Sequence, residues 1–368
     1  MMNSLSLNPF TRPTFWGRHN EIHMISRYLL STPPQCCALI GETSFGKTRL
    51  LRHLASSQDA AFLAEWPGGA PLPFVYLDCI SYVGSARLGD LASARFWWDL
   101  YSASQTRLQG KLSFTEARAS LEQEPLDRAF ELKSALEDLI RQQPRPVVFL
   151  LDNFEGIARL PLRDSEWLRS LVQYPCAYVV ASRHLLYLLY QYHAENWASP
   201  SPLWNIFSGP LYLGLMAEDE VQSFLLQASQ LANQAGSHWE ARDLDFLRHM
   251  AGRHPELLRI ACARLFELRL RENQSFHANA GELIAHDARS TCRILWRGLA
   301  DPELWNTPKI GFAREHEATL LTPYQQVLLD LAQEHEVADT TLLYVLEQRG
   351  LIERVGNSWH IFAEAMRQ

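Results

Sequence analysis

Five short apolar runs punctuate the first 215 residues, at 36–40, 74–78, 147–151, 177–181 and 211–213. Each is nearly continuous rather than alternating, as expected of strands buried on both faces of a parallel sheet. Between them lie stretches with apolar positions at three-to-four spacing, at 19–30, 48–56, 91–108, 126–142 and 165–173, which predict helices. Pro33-Pro34, Pro67-Gly68-Gly69 and Ser199-Pro200-Ser201-Pro202 mark loops. The alternation predicts an α/β fold over residues 1–215, a parallel sheet flanked by helices. Residues 216–305 read as helix after helix. Residues 306–368 predict a small helical unit closed by a hairpin. There Thr322 caps a helix with Pro323 at its first position. A second helix over 340–349 stops at Gly350, and 351–362 reads as two strands around a Gly356-Asn357 turn.

The strongest local signal is Gly41-Glu42-Thr43-Ser44-Phe45-Gly46-Lys47-Thr48, a full match to G-x-x-x-x-G-K-[ST]. A predicted strand enters it and a predicted helix, opening with Thr48 and Arg49, leaves it. Gly41 and Gly46 let the backbone bend into a nest of N–H groups around a β-phosphate. The helix start aims its positive dipole end at the same group. Lys47 sets a cation against the β- and γ-phosphates, and the Thr48 hydroxyl is a ligand for Mg²⁺. The chain has 34 basic residues, but only Lys47, Lys111, Lys133 and Lys309 are lysine. One of so few falls where the motif demands it. These residues place the fold among P-loop NTPases, with ATP or ADP and Mg²⁺ as the implied cofactors.

Such a loop needs a distant acid for the metal. The run Val147-Val148-Phe149-Leu150-Leu151 ends in Asp152, the pattern of a strand that delivers a carboxylate to the phosphate site. Glu155 follows and is the candidate for polarising the attacking water. Residue 153 is Asn, so the adjacent-acid version is absent. Either Glu155 serves from the following turn, or hydrolysis is slow. Its alternative is a solvated loop acid. Tyr178-Val179-Val180-Ala181-Ser182-Arg183 is a further strand with a polar end. Ser182 and Arg183 are candidates to touch the γ-phosphate and report its loss.

Together these segments resemble a family. Phe15-Trp16-Gly17-Arg18-His19-Asn20-Glu21-Ile22 looks like the F-x-G-R-x-x-E-[IL] box that precedes the P-loop in STAND ATPases and origin-recognition-type AAA+ proteins. The D-x-x-E pattern at Asp152 and Glu155 and the terminal Ser182-Arg183 are similar to STAND ATPases. So is Gly209-Pro210-Leu211-Tyr212-Leu213-Gly214-Leu215-Met216 followed by Glu218-Asp219-Glu220. Gly252-Arg253-His254-Pro255 resembles the G-x-P signature of the family's helical lid, with one extra residue before the proline. The closing Trp359-His360-Ile361-Phe362 segment resembles the tail of the winged helix that follows such cores. The resemblance implies an all-α lid over 216–305 and a winged-helix domain over 306–368. It implies that Arg18 borders the adenine and that the His254-Pro255 turn closes over the nucleotide. It further implies a nucleotide-controlled switch that forms a homo-oligomer with ATP bound and works with a separate sensor or effector protein.

Charge decides how the winged-helix resemblance is read. The net charge is −7, and residues 310–368 hold four Arg, no Lys and nine acidic residues. DNA affinity comes largely from neutralised phosphates, so a structural or nucleotide-sensing role is favoured over a DNA reader. Two other classes stay open: a DNA-associated AAA+ ATPase of the origin-recognition or transposition-regulator type, and a nucleotide-binding scaffold without turnover. The six cysteines show no C-x-x-C and no zinc spacing. They read as buried thiols of a cytoplasmic protein. No secretory signal and no apolar run of membrane-spanning length is visible, so no membrane partner is expected. Trp97-Trp98 and Trp296 lie on apolar helix faces and are expected in the core or at an interface rather than as ligand stackers.

Overall fold

The computed structural model describes residues 8–11, 15–56, 72–82, 89–108, 121–191, 202–271, 277–299, 322–335, 337–356 and 358–367. The predicted loop at 67–69, most of that at 199–202, and Asn357 of the predicted turn lie outside them. The chain divides into two compact units. The α/β unit comprises His19–Gly41 and Lys47–Leu211. The helical unit comprises Met1–Arg18, Glu42–Gly46 and Tyr212–Gln368.

The main sheet has five strands: β1 (Cys37–Ile40), β2 (Phe74–Asp78), β3 (Val147–Asp152), β4 (Cys176–Ser182) and β5 (Leu211–Tyr212). Their order is β2-β3-β4-β1-β5. The β1–β4, β2–β3 and β3–β4 pairs are parallel. β1, β3 and β4 are buried at every position, which explains why their sequences do not alternate. Helix α1 (His19–Leu29) precedes β1, and α2 (Lys47–Ala55), α3 (Asp90–Leu108), α4 (Pro125–Arg141), α5 (Leu162–Leu171) and α6 (Leu186–Gln191) lie between the strands. The predicted strands and helices fall on observed ones. β3 and β4 run further than the apolar pattern, taking in Asp152 and Ser182. These polar residues keep their ladder positions, Asp152 opposite Asp78 and Ser182 opposite Ile40.

One departure has a local cause. Helix α5 begins at Leu162, three residues before its apolar pattern, because its first turn buries Asp164. That carboxylate accepts hydrogen bonds from Ser93 Oγ at 2.5 Å and Trp97 Nε1 at 2.7 Å, both on α3. Burial pushes the Asp164 carboxyl above its usual range, and the two donors pull it back. Trp97 and Trp98 are buried and Trp296 packs against the helical core, as expected. Cys36, Cys37, Cys79, Cys176 and Cys262 are free and buried, and Cys292 is half-buried. No helix among the described residues is long and apolar enough to cross a membrane.

The helical unit strings together α7 (Glu218–Gln234), α8 (Ala241–Ala251), α9 (Pro255–Arg271) and α10 (His277–Gly298). Then come α11 (Pro323–Ala332), α12 (Thr340–Gln348), the antiparallel pair β6 (Ile352–Val355) and β7 (Ser358–Ile361), and α13 (Glu364–Arg367). One apolar core runs through them, from Phe10 and Met216 to Leu346 and Phe362. Caps set the helix starts. Thr322 Oγ1 accepts from the Gln325 N–H at 3.3 Å, and Gln325 Oε1 accepts from the Thr322 N–H at 3.0 Å. Asp339 accepts from the N–H groups of Thr341 and Leu342.

Helix α9 has an unusual cap, the His254 imidazole. Its Nδ1 accepts from the N–H groups of Glu256 and Leu257, at 3.2 and 3.3 Å. An accepting Nδ1 places the proton on Nε2, which has no partner among the described residues. Burial, with Arg18 adding repulsion, pulls the His254 pKa down to about 3. Two residues earlier Gly252 (φ +55°) ends α8 against the hairpin tail, where a Cβ would stand 1.8 Å from the Phe362 carbonyl oxygen.

Gly252→Ala is therefore expected to cost about 3 kcal/mol, read as a lowered denaturant midpoint. An unchanged midpoint would contradict the close approach. His254 gives a pH signature. Folded, it stays neutral down to about 3; unfolded, it takes up a proton near 6.5. Its contribution is thus complete above pH ~6.5 and is lost as pH falls, by up to about 1.4 kcal/mol per unit. His254→Asn caps without titrating, so its stability should fall less steeply between pH 6 and 4 than that of the parent. Parallel curves would refute the assignment.

Candidate functional site

The residues singled out by sequence sit in the two units, joined by the continuous loop from β1 to α2. In the α/β unit, β1 leads into Gly41, whose N–H donates to the Ser182 carbonyl at 3.1 Å. Lys47 opens α2, and its Nζ donates to the Gly41 carbonyl at 2.7 Å. Thr48, in the same first turn, hydrogen-bonds the Asp152 carboxylate. Arg49 follows, half-buried.

Asp152 ends β3 and is 1% exposed. Besides Thr48 it accepts from the Tyr76 hydroxyl at 3.0 Å and from the Asn153 N–H at 3.0 Å. Burial raises its carboxyl above the usual range, and the Thr48 and Tyr76 hydrogen bonds oppose that rise. Asn153 takes a left-handed conformation (φ +52°) and donates from Nδ2 to Asp78 at 2.8 Å. The turn sends the chain into a 3₁₀ stretch, Phe154–Arg159, that carries Glu155. Glu155 Oε1 accepts from Ser182 Oγ at 3.0 Å and from the Arg183 N–H at 2.5 Å. The second acid and the polar end of β4 thus meet directly, and Glu155 is tethered rather than left in a solvated loop.

In the helical unit, Glu42, Thr43, Ser44, Phe45 and Gly46 form the body of the loop. Ser44 (φ +72°) and Gly46 (φ +93°) supply its left-handed bends. Phe45 is fully buried. Arg18, buried and itself at φ +66°, donates from Nη2 to the carbonyls of Phe45 at 3.1 Å and Gly214 at 2.6 Å. The His254 ring lies edge-on to Phe45, with centroids 4.5 Å apart, and stacks on Phe362 at 5.5 Å. Pro255 occupies the first position of α9.

Sequence reasoning missed Tyr76 and Arg52. Tyr76 stands two residues before Asp78 on β2, beside β3, and Arg52 is one turn beyond Thr48 on α2. Arg52 Nε donates to the Tyr76 hydroxyl at 3.3 Å, completing a chain from α2 to Asp152. The signal available was a lone phenol in the strand Phe74–Asp78. Among the described residues, no group of three or more His, Cys, Asp or Glu could hold a metal by itself.

The chain as a whole is similar to known proteins. A family model described as an AAA ATPase domain matches residues 14–203, just over half of the chain. No curated protein sequence matches the chain. Among solved structures, the Walker-type ATPase PABY2304 of Pyrococcus abyssi is similar with a TM-score of 0.58 at 16% identity, over 97% of each chain. The Aeropyrum pernix ORC2 protein in its ADPNP–ADP complexes gives 0.53 at 13% identity, over 95% of this chain and 91% of that one. At such identities the likeness is one of fold. With that family model matching over half of its length, the chain belongs to the AAA ATPase domain family.

Proposed function

We propose that the protein is a STAND-like, ATP-dependent switch. ATP and Mg²⁺ bind at the Gly41–Thr48 loop, and slow hydrolysis to ADP resets the arrangement of an α/β core (1–215), a helical lid (216–305) and a winged helix (306–368). The observation that carries this reading is the hydrogen bond between Thr48 and Asp152. It brings a hydroxyl on the helix after the loop to a buried carboxylate on a different strand. Two hard oxygen donors of this kind suit Mg²⁺. The ion, when bound, offsets charge on the phosphate oxygens.

The chain's own residues supply the rest. Lys47 exchanges its bond to the Gly41 carbonyl for the β- and γ-phosphates. Glu155 orients a water and takes its proton as the water oxygen bonds to the γ-phosphorus. The bond from that phosphorus to the bridging oxygen breaks, giving ADP and phosphate. Because Glu155 already accepts from Ser182 and Arg183, its basicity is shared with them, which favours slow turnover. The same contacts let Ser182 and Arg183 register loss of the γ-phosphate. Arg18 and the His254-Pro255 turn border the base end of the nucleotide. ATP-bound chains associate with one another in the cytoplasm, and sensing or output falls to a partner protein.

A second reading, a DNA-associated AAA+ ATPase, draws support from the fold shared with the ORC2 protein. The four Arg, no Lys and nine acidic residues of 310–368 weigh against it.

Lys47→Ala should weaken binding of a fluorescent ATP analogue at least about tenfold, the loss of one charge-assisted contact. Binding as tight as the parent's would sink the nucleotide reading. Asp152→Asn and Glu155→Gln should each lower ATP turnover about a hundredfold while leaving the analogue bound. Parent-like turnover in both would refute the metal and water assignments. Salt-sensitive binding to duplex DNA near physiological ionic strength would favour the second reading.

A further inference from the structure

Glu42, the second residue of the loop, is an unexpected neighbour for a phosphate. A nest of N–H groups at a helix start attracts anions, whereas a carboxylate repels them. Its side chain is only 3% exposed, so water does little to screen it. The charge is answered from far along the chain. Arg349 Nη1 donates to Glu42 Oε1 at 2.6 Å, and the Arg349 side chain is 7% exposed.

Arg349 follows the last residue of α12, and its N–H closes on the Val345 carbonyl at 3.1 Å. Gly350 comes next with φ +71°, and a Cβ there would stand 2.8 Å from the Leu215 nitrogen and 3.0 Å from Phe45 Cε1. The turn between α12 and β6 therefore grips the loop twice, with a side chain at Glu42 and with bare backbone at Phe45. A buried ion pair holds firmly only while both partners stay in place, since either alone is a costly buried charge. The seating of α12 thus governs whether Glu42 acts as a neutralised group or as an anion within the loop.

We propose that Arg349 is a positioning residue for the phosphate loop: acting through Glu42, it makes nucleotide binding depend on the seating of the C-terminal helix–hairpin segment. The proposal rests on the reading that the loop binds nucleotide. Coupling of this kind is reciprocal, so nucleotide in turn steadies that segment.

The test is a double-mutant cycle on the full chain, reading the Kd for a fluorescent ADP analogue. Arg349→Gln should weaken binding at least tenfold, because it leaves the Glu42 charge facing the phosphates. Glu42→Gln should cost less. In the Glu42→Gln background, Arg349→Gln should have almost no further effect. A purely structural Arg349 would cost as much in either background, and that result, or an Arg349→Gln protein within twofold of the parent, overturns the proposal. If Arg349→Gln does not fold, Glu42→Gln/Arg349→Met, which buries no charge, decides. ADP should slow amide exchange over 343–352 severalfold in the parent and not in this variant. Equal slowing in both overturns the proposal. A parent that binds the analogue, loses it with Lys47→Ala and ignores all Arg349 changes sinks the positioning role alone. A parent that binds no nucleotide sinks the functional reading and this role with it.

Discussion

The Arg18 guanidinium is buried near the start of the helical unit, and much of the geometry around it follows from satisfying its donors. Arg18 reaches the carbonyls of Phe45, Gly214 and Leu215. Two remote backbone segments must therefore present three oxygens to one side chain. Both Gly17 and Arg18 sit at φ +66°, so the turn that aims the guanidinium is uncommon for a residue with a Cβ. The cost is borne because the alternative, an unpaired buried cation, is worse. Once Phe45 is fixed, its ring becomes the surface on which His254 and the turn at Gly350 rest.

The α/β half was legible because its signals are local. Strands buried on both faces read as apolar runs, and Gly41 to Thr48 is a contiguous motif whose chemistry needs no tertiary partner to be recognised. Asp152 and Ser182 could be placed because each ends such a run. The joining of Glu155 to Ser182 and Arg183 could not, since it depends on the register of β3 against β4 and on the left-handed turn at Asn153. Tyr76 was hidden for a related reason: a phenol in a strand reads as core until the neighbouring strand shows a carboxylate.

The helical half was readable element by element and opaque as a site. Thr322 and Pro323 announce a helix start in two letters. No periodicity links Glu42 to Arg349, which are 307 residues apart. His254 is intermediate. The sequence marks it through the Gly252–Pro255 segment, yet the capping by Nδ1 and the resulting tautomer emerge only from the folded backbone. The chemistry of the loop thus sits in a short motif, while what holds the loop is distributed along the whole chain.

The contacts at Gly252 and Gly350 have an evolutionary corollary. At both, backbone meets backbone or ring with no room for a Cβ. A joint made of side chains can drift by small compensating exchanges, trading a methyl here for one there. A joint made of glycine has no graded variants to sample. Mutational drift in this chain should therefore run freely across the exposed faces of α10 and α12 and halt at these two residues, where the joint is kept whole or given up in a single step.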